Sequence, residues 1–107
     1  MNAPLGRLAD KLALPQPYLL FLGDTTEASY AKTAFGLADW AADRCVGELA
    51  IDGCTVSTGL PRLSPAEARA AGARSLVIGV ANQGGIIGDN WIAALVEAME
   101  AGLDIVS

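Results

Sequence analysis

A single stretch narrows the folds open to this chain: Ser75-Leu-Val-Ile-Gly-Val-Ala81, then Asn82-Gln-Gly-Gly-Ile-Ile-Gly88, then Asp89-Asn90 and an apolar-striped run to Gly102. It closes with Leu103-Asp-Ile-Val-Ser107. The continuous apolar run from Leu76 to Ala81 suits a strand buried on both faces, as in a parallel sheet. In the run that follows, Ile92, Leu95, Val96 and Met99 fall at i, i+3, i+4 and i+7, so this stripe is expected to face the sheet. Trp91, one position off the stripe, is expected to be partly bare. Asp89 or Asn90 is placed to cap the first amides of that helix, and Gly102 stands where a left-handed C-terminal cap is wanted. Strand, crossover helix and parallel strand make a right-handed unit. A ligand is therefore expected at the loop between Ala81 and Asn90, on the carboxyl edge of the sheet.

The rest of the chain leads into that unit. Met1 to Pro17 reads as a leader, in which Leu5, Leu8 and Leu12 have helical spacing until Pro15-Gln-Pro17 stops them. Tyr18-Leu-Leu-Phe-Leu22 is the first buried strand, with Gly23-Asp24 at its carboxyl edge. Thr25, Thr26 and Glu27 are cap candidates for a helix from about Ala28 to Trp40, with Ala31, Phe35 and Ala38 on its inner face. Cys45 to Ile51 is a weaker strand, interrupted by Gly47 and Glu48. Asp52-Gly53 predicts a turn, after which Thr55 to Thr58 would return as a short antiparallel strand. Ser64-Pro65-Ala66-Glu67 carries the pattern of a capping box with proline at the first helical position. The expected fold is α/β: a Rossmann-like three-layer sandwich, residues 18–107, with a mostly parallel sheet and a short hairpin after the second strand. The chain ends inside a strand with no closing helix, so it reads as the front of something longer.

Composition excludes several functions. The 107 residues match one domain. The net charge of -5 leaves no basic patch for nucleic acid or an anionic membrane. No segment approaches the roughly 18 consecutive apolar residues of a membrane span, and the start does not read as a signal peptide. A cytoplasmic location is the expectation. Histidine is absent, which removes the commonest general base and the commonest metal ligand. Cys45 and Cys54 are too few for a disulfide scaffold and are not spaced as a zinc pair, so reduced structural thiols and no metal are expected.

The chemistry-bearing positions lie at the two strand-to-helix turns. Gly84, Gly85 and Gly88 precede a helix, where glycine lets backbone amides approach an anion. The dinucleotide pattern G-x-G-x-x-G would need glycine at Gln83, so a tight glycine-only turn is the stronger reading. Asp24 and Asp89 bring negative charge where a pyrophosphate would sit, so little affinity for NAD is expected. Asp24 could bind a ribose hydroxyl, an amine or a metal, though satisfying local amides is the commoner role for such a residue. Lys32-Thr33 lacks the glycines of a phosphate-binding loop, and Lys32 is expected on the helix surface or paired with Glu27 or Asp39. Asn82 and Gln83 either read a polar ligand or tie down the glycine loop. The aromatic residues Tyr18, Tyr30, Trp40 and Trp91 suit a core or an interface.

Three segments together resemble one known family: Tyr18-Leu-Leu-Phe-Leu-Gly-Asp24, Ala31-Lys-Thr-Ala-Phe-Gly-Leu37 and Leu76-Val-Ile-Gly-Val-Ala-Asn-Gln-Gly-Gly85, joined by Glu100 to Ser107. From Tyr18 onward the chain is similar to the N-terminal Rossmann-like domain of a two-domain bacterial and archaeal family, long of unknown function, whose characterised type is a D-glutamate N-acetyltransferase. The resemblance implies acetyl-CoA as donor, bound mainly by an absent C-terminal domain with a P-loop-like site. It also implies Gly23, Asp24, Lys32, Thr33, Asn82, Gln83, Gly84 and Gly85 as family-motif positions, with no catalytic role assigned. Two readings follow. The chain is either the N-terminal domain of an amino-acid N-acetyltransferase, inactive alone, or a non-catalytic Rossmann-like module for nucleotide binding or homo-oligomeric assembly.

Overall fold

The computed structural model describes residues 15–80 and 88–106. Its sheet has four strands, β1 (Tyr18–Gly23), β2 (Cys45–Ala50), β3 (Ser75–Ile78) and β4 (Asp104–Val106), in the order β2-β1-β3-β4. Every pair in it is parallel. Among the described residues three α-helices accompany it: α1 (Lys32–Trp40), α2 (Pro65–Ala70) and α3 (Asp89–Glu100). Short 3-10 turns at Ala28–Ala31 and Ala42–Arg44 precede α1 and β2.

β1 is central and buried at all six positions, as its unbroken apolar sequence requires. Its side chains alternate between two cores. Leu20 and Leu22 pack with Ala34 and Leu37 of α1, while Leu19 and Phe21 pack with Ala68 of α2 and Trp91, Ala94 and Ala98 of α3. The chain moves outward to β2 by way of α1, then back across β1 to β3 by way of α2, and on to β4 by way of α3. Right-handed crossovers in opposite directions place their helices on opposite faces, which gives the three layers. This is the Rossmann-like architecture expected.

Several local expectations hold. Ser64 Oγ accepts from the Glu67 amide at 3.1 Å while Glu67 returns a carboxylate to the Ser64 amide at 2.8 Å, closing the capping box. Gly102 takes φ +98°, and the Leu103 amide reaches Ala98 O at 3.1 Å, so α3 ends in a left-handed cap. The expected leader helix around Leu5, Leu8 and Leu12 lies outside the described residues. Just after it, Pro15 O accepts from the buried Ser75 hydroxyl at 2.7 Å, and Pro17 O from the Arg74 amide at 2.9 Å.

Other expectations are corrected. Asp52-Gly53 does turn the chain, with the Cys54 amide on Ile51 O at 3.1 Å, but Thr55 to Thr58 does not come back as an antiparallel strand. Instead Arg62 forms an isolated parallel bridge with Glu48, held by the Glu48 amide on Pro61 O and the Leu63 amide on Glu48 O. Gly47 permits this approach, since a Cβ there would stand 2.5 Å from Pro61 O. The expected helix from Ala28 is a 3-10 turn followed by α1, whose buried residues are Ala34 and Leu37, with Phe35 and Ala38 at the margin. On α3 the buried line is Trp91, Ala94 and Ala98. The stripe expected inside is largely outside: Ile92, Val96 and Met99 are 49%, 41% and 54% exposed, while Trp91 is 4% exposed. A small-residue line fits closer to a sheet than Ile, Val and Met, and the one large ring in it has a polar partner at the sheet edge.

Candidate functional site at the carboxyl edge of the sheet

The connection after β1 leads to β2 on one side, whereas β3 lies on the other, so the crevice between the carboxyl ends of β1 and β3 is the topological switch point of this sheet. Its floor is backbone. Gly79 N donates to Phe21 O at 3.1 Å and Gly79 O accepts from the Ala34 amide at 3.0 Å. A Cβ on Gly79 would lie 2.6 Å from the Ala34 Cβ, so glycine here lets α1 rest directly on the end of β3. This bond, and not a side-chain cap from Thr25, Thr26 or Glu27, serves the start of α1. Those threonines hold a neighbouring loop instead: Thr25 O accepts from the Thr55 amide at 3.1 Å and Thr26 O from the Thr55 hydroxyl at 3.3 Å.

Asp24 stands at the lip of this crevice. Trp91 Nε1 donates to one carboxylate oxygen at 2.8 Å and Asn90 Nδ2 to the other at 3.1 Å, linking positions 67 and 66 apart in sequence. Asp24, expected to serve local amides, keeps a hydrogen bond from its own backbone amide and adds a bridge between the two strand-to-helix turns. The Trp91 and Asn90 hydrogen bonds outweigh a small desolvation penalty and hold the Asp24 carboxyl below the usual carboxylate range. Such a group is a poor general base and a good fixed anion. Gly23, at φ +60°, makes room for the indole: its own Cβ would be 2.6 Å from Trp91 Cζ2. The Trp91 ring meets Phe21 edge to face, with centroids 5.1 Å apart.

Lys32 and Thr33 open α1 beside this edge, Lys32 exposed and Thr33 half-buried. Among the described residues Lys32 forms no ion pair with Glu27 or Asp39. The N-cap position of α3 is Gly88, not Asp89 or Asn90, although Asn90 Oδ1 accepts from the Trp91 amide at 3.0 Å. Asn82, Gln83, Gly84 and Gly85 lie outside the described residues. The structure therefore gathers Gly23, Asp24, Lys32 and Thr33 at one edge and adds Asn90 and Trp91, which sequence reasoning left out. The available signal was that Asp24 and Trp91 occupy corresponding strand-to-helix turns of a doubly wound sheet.

A second polar centre lies beneath β2. Glu48 is fully buried. Its Oε1 accepts from the Thr58 amide at 2.7 Å, the Thr58 hydroxyl at 2.6 Å and Ser57 Oγ at 3.2 Å, and its Oε2 from Arg62 Nε at 2.8 Å. Burial alone would raise the Glu48 carboxyl, but these donors together hold it below its ordinary value. Arg62 also donates from Nη2 to Val56 O at 2.7 Å. This network shapes the loop from Val56 to Arg62. Sequence reading took Glu48 only as a break in a strand. Nearby, Cys45 is a free thiol that burial and Asp43 push up to about 11, which keeps it protonated and inert. Cys54 is also free, its thiol directed at Val56 O. Among the described residues no group of three Cys, Asp or Glu side chains could hold a metal ion, and no helix is long and apolar enough to cross a membrane.

Comparison with known proteins agrees with this fold. The chain is 49% identical to the D-glutamate N-acetyltransferase of Pseudoalteromonas sp over 96 residues, which are 90% of this chain and 29% of that protein. It is 50% identical to the D-glutamate N-acetyltransferase of Tritonibacter scottomollicae over 91 residues, 85% of this chain and 27% of that protein. The chain thus spans less than a third of the length of these curated relatives. Residues 44–107, from the start of β2 through α3 and β4, match a family described as a domain of unknown function with a Rossmann-like fold. With that match covering more than half of the chain, and with the parallel sheet and crossovers to go with it, the chain belongs to the DUF1611_N family of Rossmann-like domains.

Proposed function

We propose that this chain is the Rossmann-like domain of an amino-acid N-acetyltransferase acting on D-glutamate, that it lends one wall to the acceptor pocket, and that it transfers no acetyl group by itself. The observation that carries this reading is the fixed Asp24 carboxylate at the switch point, in a chain about half identical to two D-glutamate N-acetyltransferases. An ionised carboxylate held by two donors can take an ammonium or hydroxyl group of an incoming acceptor. It is ill-suited to removing the proton from an amine, because its hydrogen bonds favour the charged form. In this reading Asp24 orients the acceptor, while the base and the acetyl donor site come from the remaining two-thirds of the longer protein.

The described edge does not suit the phosphates of acetyl-CoA. Asp24 and the exposed Asp89 put two carboxylates there against one lysine, Lys32. Repulsion of this kind disfavours a polyanion. The donor is therefore assigned mainly to the rest of the longer protein, and a cytoplasmic location, where acetyl-CoA is made and used, belongs to the same reading.

The test is kinetic. In the Pseudoalteromonas relative, an asparagine at the position aligned with Asp24 should raise KM for D-glutamate at least tenfold and leave KM for acetyl-CoA within about twofold. The 107-residue chain alone should show no turnover of the same pair of substrates. Turnover by the chain alone at a rate near that of the relative defeats the proposal. If the asparagine variant shows unchanged KM for D-glutamate, the pocket role fails and the alternative of a non-catalytic assembly module is favoured.

A further inference from the structure

The outer flank of α3 is apolar and exposed, and it stands next to a strand edge that is unpaired among the described residues. Ile92, Val96 and Met99 are each more than two-fifths exposed. Counting about 100° per residue, the three fall within a sector of about 60°, which makes a ridge and not scattered single residues. The opposite flank of α3 is accounted for: Ala94 and Glu97 line a cleft of about 360 Å³ with Ile51, Arg62 and Pro65, on the α2 side. Because the ridge lies on the other side of the buried Trp91–Ala98 line from Glu97, it looks away from α2 and toward the β4 side.

β4 is the last strand on that side and pairs only with β3 among the described residues. Ile105 and Val106 on it are half-buried, packed against the two cores. An apolar ridge beside an open edge is an unusual surface for a chain of net charge -5, and edges are ordinarily blunted by charge or covered. The handedness of the fold says what would cover it. From β3 the chain crosses by α3 to β4, moving outward. A further parallel strand on the outer edge of β4 continues in the same direction, so a right-handed crossover puts its helix on the same face as α3 and against its outer flank. Such a helix would meet Ile92, Val96 and Met99, and such a strand would take the free backbone groups of β4.

We infer that this flank is the seat of one more crossover unit, a helix packed on Ile92, Val96 and Met99 and a strand paired parallel to β4, supplied by the same polypeptide in the longer proteins of this family. The relatives carry the material for it, since the shared stretch is only 29% and 27% of their length. The inference does not depend on the chemistry of Asp24, which lies at the carboxyl edge and not on this flank.

Hydrogen exchange and one substitution decide it. In the full-length Pseudoalteromonas relative, the outward amides of the segment aligned with Asp104–Val106 should be protected at least a hundredfold over an edge strand. Glutamate at the position aligned with Val96 should lower Tm by several degrees with no change in oligomeric state. The same Val96→Glu change in the 107-residue chain, measured at a loading low enough to keep it monomeric and so leave the side chain 41% exposed, should leave Tm within about a degree. Three results overturn the inference: fast exchange of those amides, a Val96-position variant that loses no stability in the relative, or one that turns an oligomer into monomers. The last would assign the flank to a second copy. Acetyltransferase kinetics are read separately, so failure here leaves the acceptor-site proposal standing, and the reverse also holds.

Discussion

Gly23 and Glu48 show how much of this fold rests on single residues. Gly23 combines a left-handed backbone with an indole where its Cβ would go. Gly23→Ala must strain φ and displace Trp91, and it should cost about 3 kcal/mol, read as a lower midpoint in urea. Glu48 is the reverse case, a charge that stays buried because four donors surround it. Glu48→Ala should cost about 3 kcal/mol, and Glu48→Gln somewhat less, since it retains an acceptor. The sign of the pH dependence follows from the direction of the shift. The folded carboxyl titrates below the ordinary 4.5, so the unfolded chain binds the proton first as pH falls. The stabilisation is therefore complete above about pH 4.5 and is lost as pH falls through the folded value. Urea midpoints measured from pH 7 downward should drop in this acid window for the wild type and drop less for Glu48→Gln.

At the scale of elements, the sequence marked ends better than faces. The Ser64–Glu67 box and the Gly102 cap were legible because each depends on residues within five positions of one another. Ser64→Ala should remove about 1 kcal/mol, visible as a small loss of Tm with no change in the sheet. β1 and β3 were legible because their apolar runs are continuous, and β2 and β4 less so, because Gly47 and Glu48 interrupt one and Asp104 opens the other. The facing of α3 was not, because hydrophobicity alone favours Ile92, Val96 and Met99, whereas a close seat on the sheet favours Ala94 and Ala98. The hairpin failed for a related reason. A good turn at Asp52-Gly53 says nothing about Glu48, whose hydrogen bonds draw the following segment into a loop and let Arg62 approach β2 in parallel. Of the site, Gly23 and Asp24 could be placed from their position at the end of β1, whereas Lys32 and Thr33 came only from the family resemblance. Asn90 and Trp91 could not be placed, because their hydrogen bonds to Asp24 span more than sixty positions.

For the molecule as a whole, two surfaces stand out: a carboxyl edge that presents the Asp24 carboxylate, and an apolar flank beside β4. Where the rest of a longer polypeptide is lacking, the flank has only another copy to meet. The 107-residue chain is therefore expected to self-associate at high concentration despite its charge of -5. Light scattering on a size-exclusion column should show mass rising above 11.0 kDa with loading, and Val106→Lys should return it toward the monomer. A single 11.0 kDa species at every loading would count against this.

The bond from the Trp91 indole to Asp24 also makes the chain its own optical reporter. Excitation of an indole shifts electron density from the pyrrole ring toward the benzene ring, so an anion at Nε1 lowers the energy of the excited state. A cation that pairs with Asp24 weakens that influence and should move the Trp91 emission to shorter wavelength. Trp40, 45% exposed on α1, supplies a red-shifted background that such an event leaves in place. Occupancy of the carboxyl edge can thus be followed by light from the protein itself, with no label and no turnover.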